Sequence, residues 1–417
     1  MRRSISTVTE HDEHYELAFL EALALNANTP LSAADNRALG RVRAALDDAD
    51  AVVIHIGGKA GRLGEAIVGT AFLEGTLHTL AAVGKAGTPV TVLIDSAIAG
   101  IMRESEYRAR YWPAIAIVAV SPGDVDHRGM ASFASDASVP ARNILVLDFH
   151  GEHDSMPALD VAPTATGGQL TTLARLNRVA LRSYAARGPE QRYAAFFRDL
   201  FRLPAGNLSG EEIQPRIYVP EADDARYPHL ARQFGLGVDT LLVVCFFQSV
   251  VAAKCYERWD EVMALLADQV GARHPSRRIT FFVACGPDTD QPVHQEDLAA
   301  ILGGFTGYQG NARVVVAATL SLRDLAVILR HAALALSNDT GPGHLAGALG
   351  VQTITPYLPG ALYSRQVWAS SLWHRGVTVE PNLYSFDALK AEVFAARTAI
   401  INTIPPEQIV AEALQFL

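Results

Sequence analysis

The chain has 417 residues, 49% apolar and 19% charged, with 35 Lys and Arg against 44 Asp and Glu, a formal net charge of −9. It is too apolar and too sparsely charged for a disordered chain, and its acidic balance lacks the basic footprint of a general nucleic-acid binder. At ~150 residues per domain, two or three domains with large cores are expected.

The N-terminal MRRSISTVTEHDEHYE has two arginines and no apolar h-region, so no secretory signal is expected. Two added helices are expected at 13–26 and 32–48, the first made too apolar by LAFLEALAL (17–25) to be a free tail. AVVIHI (51–56), TVLI (91–94), IAIVAV (115–120) and NILVLDF (143–149) read as buried strands, and their continuous apolarity fits a parallel sheet covered on both faces. Helix-like stretches intervene, such as 65–84. LLVVCFF (241–247), ITFFVAC (279–285), ARVVVAA (312–318), LALS (334–337) and QTITPY (352–357) form a second set, with helices expected at 257–270, 293–303 and 321–332 and a closing helix at 406–417. The alternation points to doubly wound α/β units. The polar, proline-bearing 203–229 is the linker candidate. The reading is therefore two Rossmann-like domains, residues 1–220 (with 1–50 added helices) and 221–417, with ligands expected at the carboxyl ends of strands in an interdomain cleft.

Cys245, Cys255 and Cys285 form neither a disulfide framework nor a zinc knuckle, which fits a reduced, cytoplasmic protein. No apolar run approaches the ~20 residues that span a bilayer, while contact with the inner membrane face stays open. From 171 to 202 seven arginines stand against two acids, and Arg175, Arg178 and Arg182 recur at helical spacing, a face suited to phosphate or carboxylate or simply to solvent.

Three loops carry chemistry. After the first strand, Gly57, Gly58, Gly61 and Gly64 make a mobile or tightly turned loop, Lys59 and Arg62 offer charge to an acceptor or phosphate or simply to solvent, and Glu65 starts the next helix. A carboxylate there is electrostatically favoured and also suits a general base. In the second half, Ser249 and Lys254 follow the strand 241–247, and Asp288 and Asp290 follow 279–285. Asp288-Thr289-Asp290 and Asp124-Val125-Asp126 spell D-x-D without an evident third ligand, so neither a metal nor a cofactor is expected. Most telling is SNDTGPGHLAGALG (337–350), a strand end, cap-type residues, then Gly341, Pro342 and Gly343 opening a helix. Proline fits a first helical turn, and the exposed N–H groups and dipole there make an anion site, to which Thr340 adds a hydroxyl, while His344 reads by itself as a capping or satisfied histidine. An ordinary capped helix explains the same spacing. There is no Walker loop, and the acid of a dinucleotide fingerprint is missing.

SNDTGPGHLAGALGVQTI resembles the S-N-D-[ST]-G-x-x-H-x-A-x-A-x-G run of the heptosyltransferases of glycosyltransferase family nine. Over about 50–360 the resemblance implies a GT-B fold and inverting, metal-independent transfer of a sugar, heptose, from a nucleotide-diphosphate donor, ADP-heptose. The acceptor implied is a glycan, lipid-linked or protein hydroxyl, with the lipopolysaccharide core favoured. Arg62-Leu63-Gly64-Glu65 takes the place of the family's R-x-G-D, which implies Glu65 as base and Arg62 as an acceptor ligand. Ser249, Lys254, Asp290, Asp339, Thr340, Gly341, Gly343 and His344 are implied as donor ligands. Homo-oligomerisation is compatible with this. The alternatives are a GT-B nucleotide-sugar epimerase, needing several acid–base groups and no acceptor, and a catalytically silent nucleotide-sugar-binding assembly partner.

Overall fold

The computed structural model of the chain describes residues 30–56, 63–102, 114–120, 141–149, 158–164, 166–174, 192–208, 213–237, 239–249, 252–284, 310–317, 320–358, 373–378 and 398–417, with scattered residues between them. They fall into two compact units that divide between Tyr218 and Val219.

In the first unit, α1 (Ala33–Asp48) opens on a capping box: Asp35 N donates to Ser32 Oγ at 3.1 Å and Ser32 N to Asp35 Oδ2 at 2.8 Å. Leu39, Val42 and Leu46 form its buried stripe. Strands β1 (Ala51–Ile56), β2 (Val90–Asp95), β3 (Ile115–Val120), β4 (Ile144–Asp148), β5 (Ala158–Pro163) and β6 (Gln169–Ala174) make one sheet in the order β3-β2-β1-β4-β6-β5. All neighbours are parallel except the edge pair β5–β6. Helix α2 (Leu63–Ala82) is buried from Ala66 to Leu77 on every side, which is why its sequence lacks a polar stripe. It meets β1 through Gly69, where a Cβ would stand 3.1 Å from that of Ile56. It also meets α3 (Arg192–Phe201) through Gly75, whose missing side chain makes room for the Phe197 ring. Phe72 stacks on Phe149 with centroids 4.5 Å apart, and Phe196 packs edge-on to Phe72 at 5.5 Å.

The stretch read as a linker is anchored. Leu203, Leu208, Ile213 and Ile217 are buried, Arg216 N donates to Thr70 Oγ1 at 2.9 Å, and Tyr218 OH donates to the buried Glu74 at 3.1 Å. Its polar composition conceals these spaced apolar anchors.

The second unit begins with α4 (Glu221–Asp224) and α5 (Tyr227–Gln233), then β7 (Thr240–Phe246), α6 (Trp259–Arg273), β8 (Arg278–Ala284), β9 (Ala312–Ala317), α7 (Leu322–Arg330), β10 (Leu334–Ser337), α8 (Gly341–Ala348), β11 (Thr353–Tyr357), β12 (His374–Thr378) and α9 (Pro406–Ala413). Its sheet runs β12-β11-β10-β7-β8-β9, all parallel. Val243, Cys245, Trp259, Val262, Phe281 and Leu336 lie in its core. The C-terminal segment is tied to the loop after β7: Tyr256 OH donates to Ile404 O at 3.0 Å and Glu257 N to Asn402 Oδ1 at 2.8 Å.

The expected strands all form within a residue or two of their sequence bounds, as do the helices at 32–48, 65–84 and 321–332, while the helix expected at 257–270 runs on to Arg273 and the closing helix expected at 406–417 ends at Ala413. The expected helices at 13–26 and 293–303 lie outside the described residues. Strands β5, β6 and β12 were not expected. In each sheet the chain reverses its direction of growth at the first strand. β1 lies between β2 and β4, and β7 between β8 and β10. Open α/β sheets bind ligands beside such switch points, at the carboxyl ends of the strands.

Candidate functional site

The switch point of the second sheet lies between β7 and β10, so the segments leaving these strands, 247–249 with 252–254 and 338–341, are neighbours. Asn338 joins them. Fully buried, it accepts at Oδ1 from Tyr256 N and Trp259 Nε1, both at 3.1 Å, and its Nδ2 donates to Phe247 O at 2.8 Å. The sequence marks Asn338 as cap-type, but its side chain is spent on cross-linking the two loops. The register is tight beyond it as well. Gly343 has no room for a side chain, since a Cβ would overlap Ser337 Oγ and stand 3.0 Å from Ser337 Cβ. Packing of α8 against the end of β10 therefore accounts for this glycine without any ligand.

Six of the expected donor residues meet here. Asp339 is 8% exposed and stands between two side chains: its Oδ2 lies 3.0 Å from Lys254 Nζ and its Oδ1 3.6 Å from His344 Nε2. Ser249 Oγ donates to Asp339 O at 3.2 Å. Thr340 is the N-cap of α8, extended at φ −147° and ψ 160°, and its hydroxyl makes no capping bond. Gly341 and Pro342 are half-buried in the first turn, where N–H groups have no helical partner. The result is a helix N-terminus flanked by a hydroxyl, a lysine and an imidazole, with a carboxylate that orients the lysine and imidazole. That combination suits a diphosphate.

His374, which no sequence motif marks, backs the site. Its Nε2 lies 2.7 Å from Thr355 Oγ1 and 3.2 Å from Tyr357 OH, and its ring centroid is 5.8 Å from that of His344. Burial, reinforced by the neighbouring His344, pushes its pKa down from 6.5 to about 3, so it is neutral at physiological pH. The Nδ1 atoms of His344 and His374 are buried without a hydrogen-bond partner among the described residues.

On the first unit, Glu65 occupies the first turn of α2 and is half-buried. Lys59, Arg62, Asp288 and Asp290 lie outside the described residues, as do Arg175 and Arg178. Of the remaining arginines, Arg182 pairs with Asp199 at 3.1 Å and Arg202 donates to Asn36 Oδ1 at 2.6 Å, so both are engaged within the fold. Among the described residues no cluster of three His, Cys, Asp or Glu could hold a metal, and no helix is long and apolar enough to cross a membrane.

Residues 189–375, which include the second unit's residues at the β7–β10 switch point, match the profile of "Glycosyltransferase family 9 (heptosyltransferase)". The chain carries a glycosyltransferase family 9 domain. It is accordingly a glycosyltransferase, and the domain's loops at Lys254 and Asp339–Gly343 fall inside the matched span. The fold is similar to that of a family 9 glycosyl transferase from Veillonella parvula, at 15% identity over 88% of this chain and 97% of that one, with a TM-score of 0.53. This likeness fixes the architecture as GT-B, two Rossmann-like units. Also similar are E. coli ADP-heptose LPS heptosyltransferase II (15% identity, 88% and 97% covered, TM-score 0.48) and an E. coli heptosyltransferase with ADP-2-deoxy-2-fluoro heptose (18%, 83% and 97%, TM-score 0.40). No curated protein sequence matches the chain.

Proposed function

We propose that the chain is an inverting heptosyltransferase moving heptose from ADP-heptose to a hydroxyl of a lipopolysaccharide-core acceptor, on the cytoplasmic side of the membrane. The observation that carries this is the meeting of Lys254, Thr340 and His344 around the N-terminus of α8 at a sheet switch point. The family description supplies the heptose. Negative charge grows on the departing ADP as the glycosidic bond breaks, and fixed donors at that spot stabilise it. Lys254 and the Thr340 hydroxyl take the diphosphate, and Asp339 keeps Lys254 in place. The acceptor proton goes to Glu65, while the hydroxyl displaces ADP in one step with inversion.

The test is ADP release from ADP-heptose with lipopolysaccharide core oligosaccharide as acceptor. Glu65→Ala is expected to lower turnover ~10²- to 10⁴-fold, the usual contribution of a general base, while ADP affinity holds. Unchanged turnover would remove Glu65 from the reaction, and equal use of UDP- or GDP-sugars would overturn the adenine assignment.

A further inference from the structure

After Lys254 the chain runs from Cys255 to Arg258 without regular structure, between a short turn (Ala252–Lys254) and α6. Backbone N–H groups in such a stretch have no helix or ladder partner and must find an acceptor elsewhere. Two consecutive ones are met by asparagine side chains. Tyr256 N donates to Asn338 Oδ1 at 3.1 Å and Glu257 N to Asn402 Oδ1 at 2.8 Å. Asn338 has no capacity for both. Its Oδ1 also accepts from Trp259 Nε1 at 3.1 Å, which uses the two lone pairs of an amide oxygen. The second acceptor comes from 145 residues further along the chain.

Asn402 is itself held. It sits in a tight turn (Ile401–Thr403), its N–H donates to Thr398 O at 3.1 Å, and Ile400, Ile401 and Ile404 around it are buried in the core of the second unit. Tyr256 OH donates to Ile404 O at 3.0 Å, so this segment grips the loop at a second point. On the other flank, Cys255 Sγ donates to Ser249 O at 3.6 Å and Ser249 Oγ to Asp339 O at 3.2 Å. Lys254 thus leaves a loop pinned on both sides, and its Nζ reaches Asp339 Oδ2 at 3.0 Å. A lysine is a point charge on a flexible stem, so where its ammonium stands depends on where its backbone is held. Asn402 lies outside residues 189–375, so the family profile does not account for it.

We propose that Asn402 is a positioning residue for the donor site: by holding Glu257 N it fixes the loop that carries Lys254 and so sets the ammonium against the diphosphate. This rests on the reading of Lys254 given above. It makes the C-terminal segment 400–404 part of the frame of that site.

Calorimetric titration of the full chain with ADP tests it, in a double-mutant cycle of Asn402→Ala and Lys254→Met. Asn402→Ser, which draws the side chain back from Glu257 N and keeps it polar, replaces the alanine variant if that one does not fold. With Lys254 present, loss of the Asn402 bond is expected to weaken ADP about fivefold or more, within the coupling range of one hydrogen-bond network. In Lys254→Met the same substitution should change the affinity less than about twofold, because the ammonium it places is gone. Equal weakening in both backgrounds would leave Asn402 a structural residue only, and an affinity indifferent to Asn402 would likewise overturn the proposal alone. A Lys254→Met protein that binds ADP as the wild type does would overturn the reading of Lys254, and this proposal with it.

Discussion

Gly343 and His374 show how narrowly individual residues set the tip of α8. A methyl group at position 343 would overlap the Ser337 hydroxyl, whose own bond to Asn338 O is 2.6 Å. Gly343→Ala is therefore expected to destabilise the protein by ~1–3 kcal/mol, the range for overpacking, measured by urea unfolding. A midpoint equal to wild type would show that β10 and α8 are looser than described. His374 makes a different prediction. Its folded-state pKa of about 3 lies below the ordinary 6.5 because burial penalises the cation. The unfolded chain takes up a proton that the folded one refuses. The contribution is whole above about pH 6.5 and is lost as pH falls from there toward 3, at up to ~1.4 kcal/mol per pH unit. His374→Gln should flatten that limb of the stability–pH curve, and an unchanged slope would mean that the ring is not held neutral.

Elements were legible where one physical signal dominated. Strands β1, β2, β4, β7, β8, β10 and β11 are short apolar runs because both faces of a parallel sheet are covered, whereas β3 and β9, read from the sequence as buried, are edge strands that stay largely half-buried. The β5–β6 hairpin was not legible. Its residues ALDVAP and QLTTLA mix apolar with polar at the sheet edge, where Pro163 is tolerated and Val161 is 53% exposed. HRGVT of β12 is equally quiet. The loops after β7 and β10 were singled out by motif, but the Lys254–Asp339 pair and the Asn338 cross-links join residues far apart in sequence, and no local pattern reports them. Gly75 likewise reads as a helix-weakening residue until the Phe197 ring is seen against it. Gly75→Ala should cost ~1–3 kcal/mol by forcing α2 and α3 apart, and adding Phe197→Leu should recover part of it. Thermal unfolding of the single and double variants decides, and additive losses would contradict the contact.

At the scale of the whole chain, each unit is a doubly wound sheet whose growth reverses direction at its first strand. Composition and strand–helix alternation carried the architecture. The division near residue 218 was blurred in sequence because 203–229 mixes polar surface with buried anchors. The central claim is that the second unit grips a nucleoside diphosphate at the tip of α8. Thr340 offers the cleanest handle, because its hydroxyl makes no capping bond and its removal should leave the helix unharmed. Calorimetric titration of the full chain with ADP and AMP, for wild type and Thr340→Val, tests this directly. The account predicts that ADP binds more tightly than AMP and that the valine variant, with unchanged thermal stability, weakens ADP by about tenfold, one charge-assisted hydrogen bond. Equal affinity for ADP and AMP, or an ADP affinity indifferent to Thr340, would contradict it.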